Sequence, residues 1–356
     1  MSLHNSLARL FVCVLIAISI FSYSSIAHSQ TVRPPDSAVN QSVEEETTGA
    51  SNTLGNNSQS DYWRNLRGGV QGTVSIPDKN AGVMVQSEGW EWMLFRNGPL
   101  KTYGWYALAA MVGSLVLFFL FRGQIKVESG MSGEKILRFS KMARFGHWLN
   151  ASAFVVLALT GLNMLYGRDI LIPLIGLEGF STVTVVGKFA HNWGAFAFIL
   201  GIVWIFLSFV AKNFVSKEDF VWVIKAGGML KKGVHPPAKF FNFGEKVVFW
   251  SAIIGGVGVI VTGLALLFPY QLEFIPGELA VHKMQFASIW HSIIGLGLIV
   301  VIIGHIYIGT IGMEGSLSSM TTGYVDRNWA KEHHSLWLEE LDKKSKSGDT
   351  TTKPAE

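Results

Sequence analysis

The chain has 356 residues, 49% of them apolar and only 15% charged, with mean hydropathy +0.34 and net charge +4. A soluble domain carries about 25% charged residues, so the composition excludes a soluble multidomain enzyme and describes spans joined by loops. The basic balance is no nucleic-acid signal, because no basic patch is interleaved with aromatics that could stack on bases.

The chain opens on "RLFVCVLIAISIF", in which a twelve-residue apolar run (10–21) follows Arg9. The run is shorter than the roughly 18 residues a span needs. With small residues at Ala27 and Ser29 behind it, it reads as a secretory signal over 1–29, cut after Ser29. The signal holds the only cysteine, Cys13. The mature chain is therefore expected to have no disulfide, no iron–sulfur cluster of its own and no CxxCH haem attachment. Residues 30–60 are rich in Ser, Asn, Thr, Gln and Glu and read as a disordered leader. Residues 61–103 carry aromatics, glycines and β-branched residues and read as a loop-rich segment outside the membrane.

Five apolar segments follow, at 104–121, 148–166, 190–211, 247–269 and 285–312. Each is long enough to cross a hydrocarbon core of about 30 Å as a helix. The expected fold class is an all-α membrane protein, a five-span helical bundle. The first span stands apart at 104–121, and the other four form a core over 138–312. Glycines such as Gly255, Gly256, Gly258, Gly295 and Gly297 read as small residues that let helices approach. A tail, 313–356, closes the chain.

The loops orient the bundle. The 122–146 loop carries Arg122, Lys126, Lys135, Arg138, Lys141 and Arg144, and the 212–246 loop carries seven lysines. The 167–189 loop has only Arg168 and Lys188, and the 270–284 loop only Lys283. Basic loops stay cytoplasmic. The mature N-terminus is then periplasmic and the tail cytoplasmic, in a bacterial inner membrane.

Four of the ten histidines fall in or at the ends of apolar segments: His147, His191, His291 and His305. His235, His282, His333 and His334 read as solvated surface. Polar groups at bilayer depth are costly and mark function, and imidazole is a common ligand of haem iron. His291 and His305 are fourteen residues apart, which is about 21 Å of helix and almost four whole turns, so both rings leave one face. The threading then matches His191 with His291 near the periplasmic side and His147 with His305 near the cytoplasmic side. Two bis-histidine haems b stacked across the bilayer need this arrangement. A metal transporter would set carboxylates beside its histidines, and the five segments contain no Asp or Glu. Two haems at opposite faces make an electron wire, and with no dinucleotide fingerprint or nucleophile constellation in the chain, a lipid-soluble quinone is the natural acceptor. An anchor without a redox role is the alternative of another class.

The motifs "RFGHW", "FAHNWG", "FNFGEKVVFW", "WHS" with "GHIY" fourteen residues on, and the tail "MTTGYVDRNWAKEHHSLWLEEL" resemble the gamma, or cytochrome b, subunit of membrane-bound respiratory formate dehydrogenase, over roughly 138–341. The upstream "VQSEGWEWMLFRNGPLKTYGW" is similar to the longer form of that subunit, with a signal peptide and an extra first helix. The resemblance implies two partners, a catalytic alpha subunit with molybdenum or tungsten and an iron–sulfur beta subunit. Electrons would pass to the His191–His291 haem, then to the His147–His305 haem, then to menaquinone or ubiquinone. It also implies a quinone site at Asn242 and Gly244 beside His305. From the residues alone, Asn242 reads equally as the N-cap of the helix that begins near Val247. A related cytochrome b serving hydrogenase or thiosulfate reductase is the alternative within electron transfer.

Overall fold

The computed structural model describes residues 72–73, 83–85, 87–269 and 280–347. The expected signal, the leader and part of the 270–284 loop lie outside the described residues. The chain divides into two units, Met1–Met93 and Leu94–Glu356. In the first, β1 (Gly72–Thr73) pairs antiparallel with β2 (Val83–Val85). A short helix α1 (Ser87–Phe95) runs across the boundary. Where loops were expected up to residue 103, the chain is thus helical from Ser87, and a π turn (Arg96–Leu100) leads directly into α2 (Lys101–Arg122). The expected segment 104–121 is the interior of α2.

The second unit is a helical bundle with a small cap. Among the described residues four helices are long and apolar enough to cross a membrane: Glu91–Arg122, Lys141–Lys212, Phe243–Leu267 and His282–Gly312. Five segments were expected. The count differs because 148–166 and 190–211 belong to one helical run, α3 (Lys141–Phe209), of 69 residues. A straight helix of that length would measure about 100 Å, three times the hydrocarbon core. It folds back at Gly176, three residues past Pro173, where φ 72° and ψ 177° leave the helical region. Only glycine adopts that backbone without strain. The two arms then lie antiparallel: Trp204 Nε1 donates to Met142 O at 3.2 Å and Asn163 Nδ2 to Thr184 Oγ1 at 3.2 Å. At residue 201 a Cβ would fall 2.8 Å from the Asn150 backbone, so glycine is what permits the arms to touch.

The remaining long helices are α5 (Phe243–Leu267) and α6 (Ala280–Tyr307), with a short α4 (Lys217–Ile224) in the loop before them. A Cβ at residue 255 would fall 2.7 Å from the Leu298 side chain, which accounts for Gly255 between α5 and α6. Gly295 and Gly297 meet nothing within 4 Å, so close approach is not their reason. Large apolar side chains such as Leu120, Leu159, Val185, Leu207 and Ile254 point outward and are exposed. Lipid is the solvent that suits them. The inner core is aromatic, with Phe139, Phe198, Phe209, Phe241 and Phe249 buried together. Tyr166 Oη donates to Lys101 O at 3.0 Å at one end of α2, and Arg122 Nε to Met229 O at 2.9 Å at the other.

The cap is built from loop and tail. Strand β3 (Lys135–Leu137) pairs antiparallel with β4 (Tyr324–Asp326), followed by α8 (Arg327–His333) and α9 (Ser335–Lys346); a single turn, α7 (Ser318–Thr321), precedes them. Asp326 caps α8 by accepting from Asn328 N at 2.8 Å. Val127, Val325, Trp329, Ala330 and Trp337 form a second core under it. Residues 313–347 are therefore a packed layer, not a solvated extension.

Candidate metal centre and adjoining cavity

The four intramembrane histidines meet in two pairs. His191, on the second arm of α3, faces His291 on α6 with ring centroids 6.1 Å apart. His147, at the start of the first arm, faces His305 with centroids 6.2 Å apart. These are the depth-matched partners expected from the threading. A ligating imidazole nitrogen sits about 2 Å from its metal and about 1 Å in front of the ring centre, so two imidazoles on opposite sides of one metal have centroids about 6 Å apart. Both pairs fit a bis-imidazole metal. Among the described residues no three His, Cys, Asp or Glu side chains cluster as a bare metal-ion site.

The pair at the His191 level is braced. Thr160 Oγ1 lies 2.8 Å from His191 Nδ1, and Thr262 Oγ1 lies 3.0 Å from His291 Nδ1. Each threonine gives its own hydroxyl proton to the carbonyl four residues back, Val156 at 2.7 Å and Gly258 at 2.7 Å. Each hydroxyl oxygen is then an acceptor for the imidazole N–H, which fixes the tautomer and leaves Nε2 free for a metal. The next residue is glycine in both cases, and a Cβ there would stand 3.7 Å (Gly161) or 3.1 Å (Gly263) from the Cε1 of the same ring. Sequence reading missed Thr160 and Thr262. The signal was present, since Thr-Gly-Leu recurs at 160–162 and 262–264. The other pair lacks this brace: His147 Nδ1 is buried without a partner.

A cavity of about 580 Å³ adjoins His305 but does not reach His147. Asn242, Gly244 and His305 all line it, together with Phe118 of α2 and Glu332 and His333 of the tail. Asn242 is the N-cap of α5: its Oδ1 accepts from Glu245 N at 3.0 Å, and Glu245 Oε2 accepts from Asn242 N at 2.9 Å. The cap occupies the amide oxygen and leaves Nδ2 as the donor of a residue that lines the cavity. Gly244 sits under Trp222, where a Cβ would come within 3.1 Å of the indole.

Glu245 and Lys246 of the "FNFGEKVVFW" motif do more than sequence reading assigned them. Arg138 donates to Glu245 Oε1 at 2.9 Å and to Phe240 O at 2.8 Å, and its guanidinium lies among Phe139, Trp329 and Trp337. Lys246 makes a buried ion pair with Asp219 at 2.7 Å. His334 corrects the solvated-surface reading: it is 1% exposed, donates from Nδ1 to Lys239 O at 2.8 Å and stacks on Trp329. Burial, then Arg138, pushes its pKa down to about 3. His333 is likewise drawn inward, onto the cavity wall, and burial lowers it to about 4. The physical reason is the tail's own aromatic core, which pulls the adjacent imidazoles under the bundle. His235 does remain at the surface, 3.4 Å from Glu128.

Residues 138–323, more than half of the chain, match the family described as prokaryotic cytochrome b561. The chain belongs to that family. Membership makes this cytochrome a haem b-binding membrane protein of electron transfer. It is 29% identical over 224 residues to the formate dehydrogenase cytochrome b556(fdo) subunit of Escherichia coli (strain K12), covering 63% of this chain and 98% of the relative. It is 28% identical over 210 residues to the nitrate-inducible cytochrome b556(Fdn) subunit of the same strain, covering 58% and 92%. The cytochrome b556 subunit of formate dehydrogenase from Haemophilus influenzae (strain ATCC 51907 / DSM 11121 / KW20 / Rd) is 24% identical over 208 residues, covering 58% and 83%. The expected resemblance to formate dehydrogenase cytochrome subunits stands, with more than a third of this cytochrome outside the match.

Proposed function

We propose that this cytochrome is the membrane subunit that carries electrons from a formate dehydrogenase to a quinone. His191 and His291 hold one haem b and His147 and His305 the other. Each haem, when bound, supplies one-electron storage between its two imidazoles. The observation that carries the reading is the pair of facing imidazoles, spaced for one metal, at each of two levels of α6 fourteen residues apart. The two arms of α3 each cross the bilayer, giving five crossings, with the N-terminus periplasmic and the tail cytoplasmic in a bacterial inner membrane. The electron source is a catalytic alpha subunit with molybdenum or tungsten, acting through an iron–sulfur beta subunit. Menaquinone or ubiquinone binds in the cavity beside His305, one carbonyl taking hydrogen bonds from Asn242 Nδ2 and the Gly244 N–H. A buried carbonyl gains from such donors. The donor side is assigned to formate because the relatives above are formate dehydrogenase subunits.

The test uses the purified native complex. A reduced-minus-oxidised spectrum should show b-type bands that formate alone can develop, and Asn242→Ala should raise the KM for quinone while the bands remain. A complex without b-type bands, or one that reduces quinone undiminished after His191 and His291 are both replaced by Ala, overturns the proposal.

A further inference from the structure

We propose that His333 passes protons from the aqueous side to the quinone bound in the cavity beside His305, an inference that rests on the quinone reading above. Reducing a quinone to a quinol takes up two electrons and two protons, one O–H bond forming at each carbonyl oxygen. The electrons come by way of the imidazole pairs. The protons must come from water, because the apolar segments contain no Asp or Glu to supply them.

The cavity wall names the carrier by elimination. Arg122 is committed to Met229 O, to which its Nε donates at 2.9 Å. Glu245 is held by Arg138 and by the Asn242 cap. Glu332 accepts from Glu128 N and Ser129 N, each at 2.9 Å, and from Ser129 Oγ at 2.6 Å, which fixes it as an anion. Tyr307 carries its proton on a single oxygen and has no second ring atom on which to reload. His305 is taken as a metal ligand. Lys126, Glu128 and His235 stand at the exposed rim.

His333 remains. It lines the cavity, and its Nε2 is sealed from solvent with no hydrogen-bond partner. An orphaned buried nitrogen is costly unless a ligand or a function uses it. The charged and titratable groups around the ring are Glu332 on its own helix, His334 just past that helix, His235 from the loop before α5, Glu245 of α5 and Arg138 beside β3. The rim pair His235 and Glu128 adjoins the segment that binds Glu332, the residue before His333. A neutral imidazole accepts a proton at one nitrogen and, as the imidazolium, gives up the proton of the other, which is what a relay requires.

The experiment compares wild type, His333→Leu and Asn242→Ala in the purified complex, with formate as donor and decylubiquinone as acceptor, rates normalised to haem content. His333→Leu is expected to keep both sets of b bands and a KM for decylubiquinone within about two-fold, while kcat falls at least about ten-fold at pH 8 and less at pH 6. Its solvent deuterium isotope effect should rise, and added imidazole should restore part of the rate. If the leucine variant fails to assemble, His333→Gln, which keeps the bulk and cannot relay, should show the same loss. A wild-type kcat, pH profile and isotope effect in either assembled variant overturns the inference, and does so alone when Asn242→Ala still raises KM. If Asn242→Ala changes nothing and wild type shows no decylubiquinone-dependent turnover, the quinone reading and this inference fall together.

Discussion

Thr262 accepts the Nδ1–H of His291 at 3.0 Å while giving its own proton to Gly258 O, and Thr160 does the same for His191 one helix away. Hydrogen bonding at Nδ1 raises the basicity of the ligating nitrogen and holds the ring at its angle. Replacing Thr262 with Val keeps the shape and removes the acceptor. Haem affinity at the His191–His291 level should fall roughly 10–100-fold. Titrating haem into the depleted complex and reading the b band of that site would check it, with the His147–His305 site as internal control. Equal affinity in both proteins would deny the threonine this role.

Each histidine pair should answer separately. On the proposed assignment, in which each pair holds its own haem, His291→Ala is expected to abolish one b-type signal and His147→Ala the other. Redox titration of the difference spectrum would show one component lost in each variant. Loss of both from either single replacement would mean the two levels are not independent sites.

Arg138 is almost wholly buried and is held by Glu245. Arg138→Met leaves that carboxylate facing aromatic rings with no cation. Breaking a buried pair costs about 3–5 kcal/mol, and the partial exposure of Glu245 discounts this to roughly 2–3 kcal/mol. The cap should loosen first, seen as faster amide exchange across α8 and α9 at unchanged exchange in α5 and α6. Uniform protection would place the stabilisation elsewhere.

The docking of the tail should depend on pH through His334. Its folded pKa of about 3 lies below the ordinary 6.5, so the unfolded tail binds a proton that the folded one refuses. Stability is therefore full above about pH 6.5 and declines as pH falls toward about 3. His333 acts in the same direction. Limited proteolysis of the tail at pH 7.5, 6 and 5 should show progressively faster cleavage near residues 327–346. A rate that does not change over this range, after correction for the protease, would contradict the assignment.

Much of the architecture was legible in the residues because lipid imposes a one-dimensional rule: apolar runs long enough to span, separated by loops whose lysines and arginines choose a side. That rule located the apolar segments and set His191 beside His291 and His147 beside His305, while Asn242 and Gly244 came from the family resemblance alone. It could not see what lies across the chain. Thr160 and Thr262 are ordinary hydroxyls until another helix brings an imidazole within 3 Å. His334 looked solvated because the tail is hydrophilic, and it is buried because Trp329 and Trp337 close over it.

By itself, then, the sequence determined a helical membrane protein with imidazoles at two depths, since hydropathy, loop charge and helical rise depend only on residue order. The tertiary structure alone decided that 148–166 and 190–211 are arms of one helix folded at Gly176, that two threonines aim the rings of one pair, and that the tail seals one end of a cavity against His305. Those features are contacts between residues tens to hundreds of positions apart, fixed by packing and hydrogen-bond geometry, and no local pattern along the chain encodes them.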